Sequence, residues 1–250
     1  MSISAIMGLS GVGGSLNKYE IFTSSGTWNK PSGVEIAYAF LVGGGGSGAR
    51  NTSGNAGGGG GGECIFGMAF VKDQSSYTVT IGAGGAERTT NGSGYGGGNT
   101  TFANLTANGG VGGQADYGGR GGGSYGRIIP FHYDPNGNWT GRDASYGAGG
   151  SASTQYNGES GGIMSFPMLT SLGGGGGGSH DGDGGYTIFG SGGGAVSGAG
   201  GGGASYGNGG YAYTSGKSPD CAANSGGGGS NNVGTTGAGG SGYCIVFWSE

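Results

Sequence analysis

The chain has 250 residues, and 76 of them are glycine, which is about 30% against a usual level of roughly 7%. Only 32% of the residues are hydrophobic, while ordering a backbone costs roughly 1–2 kcal/mol per residue. A conventional apolar core that extends through the whole chain is therefore excluded. The net charge of −4 also offers no basic surface for nucleic acid.

Two glycine-rich alternatives compete with a compact fold. Gly/Ser-rich chains are usually flexible, but disordered chains carry many charges and few aromatic residues. This chain has 14 Tyr, 9 Phe and 3 Trp and only 9% charged residues, which favours order and leaves disorder as the alternative. Collagen is excluded, because Tyr117–Gly126 breaks the required glycine at every third position.

The first twenty residues mix Ile3, Ile6, Met7 and Leu9 with small residues. They lack the basic start and long apolar stretch of a secretory signal. The chain also has no run of about 20 apolar residues, the length that would span a bilayer. Because this stretch is too short to form a domain, we interpret residues 1–20 as an attachment segment. A frayed terminus is the alternative.

Four β-runs lie near the two ends of the chain, at Val34–Val42, Glu63–Val71, Tyr77–Ile81 and Tyr243–Trp248. Their apolar and β-branched content is typical of strands. The link Lys72–Ser76 is short enough for a β-hairpin between the second and third runs. The runs predict a small β-sheet formed by residues 21–85 and completed by residues 241–250.

Glycine runs dominate the rest of the chain, at Gly43–Gly46, Gly57–Gly62, Gly173–Gly178, Gly192–Gly194, Gly200–Gly203 and Gly226–Gly229. A polyproline-II-like strand has three residues per turn and no internal hydrogen bonds, so its backbone groups need lateral partners. Glycine alone lets such backbones approach closely enough to pair. We therefore expect a polyglycine II bundle at residues 86–240, and a fold that is mainly β and irregular with almost no helix.

Motifs for catalysis or metal binding are weak. Gly216–Ser218 resembles the end of a phosphate-binding loop, but Tyr211 stands where that motif needs glycine. Asp134–Asn138 begins like an EF-hand loop, yet Trp139 occupies its glycine position. This segment and Asp181–Asp183 stay open as cation sites. We otherwise expect no metal, no cofactor, no catalytic residue and no enzymatic activity.

The three cysteines do not form the pattern of a disulfide framework. Cys64 and Cys244 lie in apolar runs and are interpreted as small buried side chains, whereas Cys221 lies in a polar loop. This usage fits assembly in a reducing cytoplasm.

Large side chains interrupt the glycine-rich middle at Ser124–Tyr146, Ile163–Leu172, Ser179–Phe189 and Tyr206–Cys221. A core of glycine backbone has no room for them, so we expect them at the ends or faces of the bundle. Exposed aromatic residues and arginine are common binding anchors, and the alternative is that these residues cap the bundle. The candidate receptor-binding residues are Tyr125, Arg127, Ile129, Phe131, His132, Tyr133, Trp139, Met164, Phe166, Met168, Tyr186, Phe189, Tyr211 and Tyr213.

Several motifs together resemble a known family. They are Phe22-Thr-Ser-Ser-Gly-Thr-Trp28, Phe40–Gly48, the glycine run before Glu63–Val71, Tyr77–Gly85 and the C-terminal GAGGSGYCIVFWSE. In order and spacing they resemble the glycine-rich domain of phage tail-fibre and related virion proteins, over roughly Phe22 to Gly113 and the last dozen residues. The middle is similar only in composition to the distal adhesins of T-even-like phages, so no single residue's role is carried over.

The resemblance implies a tail-fibre protein of the virion, assembled in the host cytoplasm and acting at the host surface. The leading hypothesis is an adhesin whose aromatic loops bind an outer-membrane protein or polysaccharide. Its N-terminal segment and sheet would join other fibre proteins, with the chain as a homotrimer or as a monomer capping a trimeric fibre. A purely structural virion protein is the alternative, while an ice-binding protein and a matrix protein are disfavoured. Neither nucleic acid nor membrane insertion is expected.

Overall fold

The structure is a computed structural model that describes residues 16–52, 56–114, 218, 220–230 and 234–250. It also gives the backbone of four short strands between residues 132 and 172. The described residues contain no helix, and therefore none that could cross a membrane. They form antiparallel sheets and irregular glycine-rich segments, so the expected mainly β fold is confirmed.

The strands are numbered along the chain. They are Lys18–Phe22 (β1), Gly26–Asn29 (β2), Ile36–Val42 (β3), Cys64–Phe70 (β4), Ser76–Thr80 (β5), Thr100–Phe102 (β6), Leu105–Ala107 (β7), His132–Tyr133 (β8), Trp139–Thr140 (β9), Ile163–Phe166 (β10), Leu169–Leu172 (β11) and Tyr243–Trp248 (β12). The four β-runs expected from the sequence are confirmed as β3, β4, β5 and β12.

Two main sheets contain most of these strands. The larger sheet has the order β1-β12-β3-β4-β11-β10, and the smaller sheet has the order β2-β5-β6-β7. β8 and β9 pair with each other. Both chain ends meet in the larger sheet because β1 pairs with β12, which itself pairs with β3.

The two sheets share one apolar core. Ala37, Ala39 and Leu41 of β3 face this core from the larger sheet. Trp28 of the smaller sheet is fully buried, and its ring centroid lies 5.6 Å from those of Phe102 and Trp248. Small side chains on β3 leave room for the indole ring, which contacts aromatic rings of both sheets and ties them together.

The predicted hairpin between the second and third β-runs is wrong. β4 pairs with β3 and β11 in the larger sheet, whereas β5 pairs with β2 and β6 in the smaller sheet. The link between them therefore crosses from one sheet to the other. This crossing lets Tyr77 and Val79 cover the shared core from the side opposite β4, which a hairpin within one sheet would prevent.

A glycine segment that continues β3, residues 43–49, lies at the centre of the bundle. Its amides donate to three neighbouring segments in turn, with a repeat of three residues. The donors are Gly43, Gly46 and Ala49 to residues 57–63, Gly44 and Ser47 to residues 95–98, and Gly45 and Gly48 to residues 237–240. Lateral bonding with a three-residue repeat is the arrangement expected for polyglycine II strands.

Carbonyl groups of the same segment accept hydrogen bonds from three further neighbours. The donors are Gly110 and Gly113 to the oxygens of Gly44 and Ser47, Gly85 to that of Gly45, and Gly229 to that of Gly46. The central segment is thus surrounded by backbone, and all seven of its amides and four of its carbonyls bond to backbone groups without side chains.

Close approach explains why this segment is glycine. A Cβ atom added to Gly43, Gly44, Gly45 or Gly46 would lie less than 3.0 Å from backbone atoms of a neighbouring segment. Backbone cannot rotate aside as a flexible side chain can. Any larger residue would therefore push the strands apart and break the lateral hydrogen bonds.

Five of the six glycine segments around the centre continue a β-strand of the two sheets, as does the central segment itself; residues 226–229 are the exception. β3 leads into residues 43–49, β5 into 82–85 and β7 into 109–113, while residues 57–62, 94–98 and 237–242 lead into β4, β6 and β12. Sheet and bundle therefore alternate along the chain instead of occupying separate ranges.

Two buried polar side chains satisfy backbone groups where sheet and bundle meet. Thr100 Oγ1 accepts a hydrogen bond from the Gly82 amide at 3.0 Å and donates one to the Val42 carbonyl at 2.6 Å. The Glu63 carboxylate accepts from the backbone and side-chain nitrogens of Asn108 at 3.0 and 2.9 Å. These contacts bridge the positions at which the pairing changes from β to polyglycine II.

Some segments have a different place in the structure from the one expected, and others lie outside the described residues. Lys18–Glu20, at the end of the expected attachment segment, belong to β1. Ile163–Leu172, interpreted as a loop of the bundle, contains β10 and β11 and extends the larger sheet at β4. The glycine runs at 173–178, 192–194 and 200–203 lie outside the described residues.

Gly97 and Gly96 offer a matched test of the bundle. A Cβ atom on Gly97 would lie less than 3.0 Å from the backbone of Gly44, whereas on Gly96 its nearest neighbour, the Gly110 carbonyl oxygen, would be 3.5 Å away. Gly97→Ala should lower the free energy of unfolding by about 2–5 kcal/mol, because lateral hydrogen bonds are lost. Gly96→Ala should leave it unchanged or raise it by up to ~1 kcal/mol. Urea denaturation measures both; equal effects would contradict tight packing at Gly97.

Thr100 tests the junction between sheet and bundle. Thr100→Val keeps the side-chain shape but leaves the Gly82 amide and the Val42 carbonyl without their hydroxyl partner. We expect a loss of about 2–4 kcal/mol in the free energy of unfolding, on the scale of unsatisfied buried groups. The control is Thr101→Val, one residue further along β6 and only partly buried, which should change stability by less than ~1 kcal/mol. If Thr100→Val leaves the free energy of unfolding unchanged, the Thr100 hydroxyl does not stabilise the junction.

Candidate binding surface

The end of the bundle away from the sheets is called the bundle tip. Its described residues are Arg50–Thr52, Glu87–Gly92, Gln114, Ser218 and 234–236, the positions at which glycine segments reverse direction or leave the described part of the chain. Because the central segment runs away from β3 toward Arg50, the tip and the sheets occupy opposite ends of the described structure.

Two chain connections at the bundle tip are bound to each other. Arg50 and Gly92 exchange backbone hydrogen bonds at 3.0 and 2.9 Å. The guanidinium of Arg50 donates to the Thr89 carbonyl at 2.6 Å, and the Asn91 amide donates to the Thr52 hydroxyl at 3.0 Å. These contacts hold the connections in place and make the tip a defined support.

Arg88 and Tyr95 present a cation and an aromatic ring near the same tip. The Arg88 guanidinium carbon lies 4.8 Å from the centre of the Tyr95 ring, within the range of a cation–π contact. The backbone amide of Arg88 donates to the Thr236 hydroxyl at 2.8 Å, which fixes the base of the side chain. Tyr95 is 49% exposed. The tip therefore offers solvent an ordered aromatic and cationic group.

All the candidate residues lie in a stretch that begins and ends at the bundle tip. Gln114, the last residue before this stretch, accepts a hydrogen bond from the Gly57 amide at 2.9 Å. Ser218, the first described residue after it, donates to the Thr235 carbonyl at 3.0 Å. The bundle thus anchors both ends of residues 115–217.

Five candidate residues lie on strands whose backbone is described. Tyr133 and Trp139 are directly opposite in the antiparallel pair of β8 and β9, and His132 is opposite Thr140. Met164 and Phe166 lie on β10, at the edge of the larger sheet. The structure thus brings Tyr133 and Trp139 together in register but places Met164 and Phe166 on a different sheet.

The other candidates lie outside the described residues. They are Tyr125, Arg127, Ile129, Phe131, Met168, Tyr186, Phe189, Tyr211 and Tyr213, together with the two segments left open as cation sites, Asp134–Asn138 and Asp181–Asp183.

Groups for covalent or metal chemistry are scarce in the described part of the chain. No cluster of three His, Cys, Asp or Glu residues suited to a metal ion occurs there. Burial raises the pKa of Cys244 from 9.0 to about 12, so this thiol is neutral at ordinary pH and a poor nucleophile. Cys64 is also buried, and the Cys221 thiol donates to the Gly228 carbonyl.

Sequence reasoning missed the arginine and tyrosine of the tip and one further apolar surface. Arg88 and Tyr95 are separated by a glycine-rich link, without the dense aromatic pattern that marks residues 124–146. The outer face of the larger sheet was also missed, because the apolar residues of the β-runs were assigned to a buried core only. The signal that could have shown it is the alternation in β3, where the bulky apolar residues Ile36, Tyr38 and Phe40 share one face and the small Ala37 and Ala39 lie on the other.

Helix-free sheets joined to a glycine bundle make the described residues a glycine-rich β scaffold. The chain belongs to the glycine-rich domain family, whose model matches residues 22–249. The match therefore includes both sheets, the bundle and the stretch between Gln114 and Ser218, and it begins at the last residue of β1. No curated protein matches the chain.

Proposed function

We propose that this protein is a non-enzymatic adhesin of a phage tail fibre, which holds aromatic loops on a rigid glycine scaffold and binds a receptor on the bacterial surface. The receptor would be an outer-membrane protein or a surface polysaccharide. The protein would be built into the virion after assembly in the host cytoplasm and would act at the host cell surface.

One observation carries this proposal: the stretch with every candidate residue is anchored at both ends at the bundle tip, through Gln114 and Ser218. Binding residues are commonly placed on loops that a rigid scaffold positions. The dense lateral bonding of the bundle supplies such a scaffold. A long stretch that leaves and re-enters such a scaffold at its tip, and that also pairs with the larger sheet through β11, suits an adhesin.

The opposite end of the molecule supports a distinct attachment role. The chain enters the larger sheet at Lys18, which is paired with Trp248 at the end of β12 farthest from the bundle. The N-terminal segment and the sheet are therefore candidates for joining other fibre proteins, while the bundle tip is directed toward the host. This polarity would let one subunit connect a fibre to a receptor.

A purely structural virion protein is the second candidate. The exposed apolar side chains of the larger sheet, such as Phe70 at 59% exposure, favour contact with another virion protein. In that case the stretch between Gln114 and Ser218 would also contact phage proteins, and purified protein would not bind host cells.

Tyr133 and Trp139 provide the most direct test, because they are register partners in one antiparallel pair. Tyr133→Ala or Trp139→Ala should weaken binding of the purified protein to host cells by about thirtyfold, the effect of losing a binding anchor worth ~2 kcal/mol. The melting temperature should stay near that of the unchanged protein.

Tyr19→Ala is the matched control, since Tyr19 is 60% exposed but lies on the larger sheet, away from the bundle tip. It should leave cell binding unchanged. Cells stripped of surface polysaccharide or of individual porins then distinguish the two receptor classes. If the Tyr133 and Trp139 variants melt earlier and still bind cells fully, these residues cap the scaffold and the structural role is favoured.

A further inference from the structure

The outer face of the larger sheet, turned away from the shared core, is apolar across its described strands. Residues opposite one another in an antiparallel pair share a face, and successive residues alternate between faces. Ile36, Tyr38 and Phe40 of β3 alternate with the core residues of that strand and pair with Phe70, Met68 and Phe66 of β4. No charged residue lies on this face in β1, β3, β4 or β12.

Exposure on this outer face is high for side chains of this kind. Tyr19, Ile21, Ile36 and Phe70 are 60%, 52%, 48% and 59% exposed. Together with their partly buried neighbours they form one continuous apolar surface, on the order of several hundred Å², a size that marks an interaction site in soluble proteins.

Ring contacts give the outer face a defined shape. Tyr38 stacks on Phe66 with the ring centroids 6.0 Å apart, and Tyr19 lies 6.4 Å from Phe247. Aromatic pairs at such distances stabilise each other beyond the burial of area. The face is therefore a preformed surface that needs an apolar cover.

The N-terminal segment, residues 1–15, has the composition of such a cover. It contains no ionisable side chain, and its apolar residues Met1, Ile3, Ala5, Met7 and Leu9 recur at a spacing of two, while Ile6 is the one large apolar residue among the intervening positions 2, 4, 6, 8 and 10. This alternation is typical of an extended strand with one apolar face. A segment of this kind gains free energy by burying that face.

The position and length of the segment match the outer face. It is joined through Leu16 and Asn17 to β1, the edge strand of the same sheet. Ten extended residues reach roughly 33 Å, whereas a sheet of this strand number is about 24 Å across. Gly11, Gly13 and Gly14 lie between the alternating residues and β1, and glycine permits the chain to turn back over the sheet edge.

We propose that residues 1–10 bind in an extended form to the outer face of the larger sheet of the same chain and cover its aromatic surface. Both partners are uncharged and apolar, and the short tether makes the contact intramolecular, with a high effective concentration. The inference goes beyond the adhesin proposal and does not rest on it. A fibre partner that takes up the N-terminal segment would also uncover this face.

Photo-crosslinking of the full chain tests the contact directly. Met7 is replaced by the photoreactive residue benzoylphenylalanine, and crosslinked peptides are identified by mass spectrometry. We expect intramolecular crosslinks to the outer face, within Phe66–Phe70 or at Tyr38. Phe70→Lys should reduce their yield several-fold, because it places a charge in the surface. Val111→Lys, at a 45% exposed apolar residue of the bundle, is the control and should not.

Three results would overturn the proposal: crosslinks only between two chains, which would assign the face to a second copy; crosslinks to other parts of the molecule; or no decrease in crosslink yield with Phe70→Lys.

A second measurement uses a chain that begins at Leu16, so that β1 is kept. Its binding of anilinonaphthalene sulfonate should rise several-fold over that of the full chain, with an unchanged circular dichroism spectrum. Equal dye binding would contradict a cover formed by residues 1–10. Cell binding by the adhesin stretch is a separate readout, so either proposal can fail alone.

Discussion

Lateral hydrogen bonding between glycine backbones determines both the composition of the chain and the way its segments pack. The segment at residues 43–49 has no internal hydrogen bonds of the helical kind, so every buried N–H and C=O must find a partner on another segment. Six surrounding segments supply these partners. Such closeness leaves little volume for side chains between the segments. The same constraint therefore favours a glycine-rich sequence, in which a larger side chain of the bundle, such as Val111, is exposed at its surface.

Apolar burial is supplied elsewhere, by the core between the two sheets. Ordering glycine is entropically costly, and a bundle of backbone buries little hydrocarbon to offset that cost. Because five of the six surrounding segments and the central segment continue β-strands, the core around Trp28 also holds these segments in register. Thr100 and Glu63 then satisfy the polar groups at the change of geometry. The bundle is in this way an extension of the sheets, stabilised by a register that the sheets impose.

Many strands of this fold can be predicted from local sequence, but the pairing of segments that are far apart in the chain cannot. β3 and β12 were predictable because bulky, β-branched residues alternate in them, and the bundle was predictable because polyproline-II-like strands can pair laterally at close range only where they are glycine. β1 was missed because Lys18 and Glu20 mask its pattern, and the partner of β5 was missed because link length does not decide which sheet a strand joins. The candidate loops were recognised by composition. The anchoring of residues 115–217 through Gln114 and Ser218 depends on pairing between segments far apart in sequence, as does the hydrogen bond from the Arg88 amide to Thr236.

Amide hydrogen exchange followed by NMR shows whether the glycine backbones are hydrogen-bonded, because it reports on each glycine of the bundle. If Gly44, Gly45 and Gly46 donate the lateral bonds described, their amides should exchange as slowly as those of β3, by factors that approach global unfolding. Exchange of these three amides at the rates of an unstructured peptide, with β3 still protected, would contradict the account: the glycine runs would then be flexible connections, and the scaffold would consist of the sheets alone.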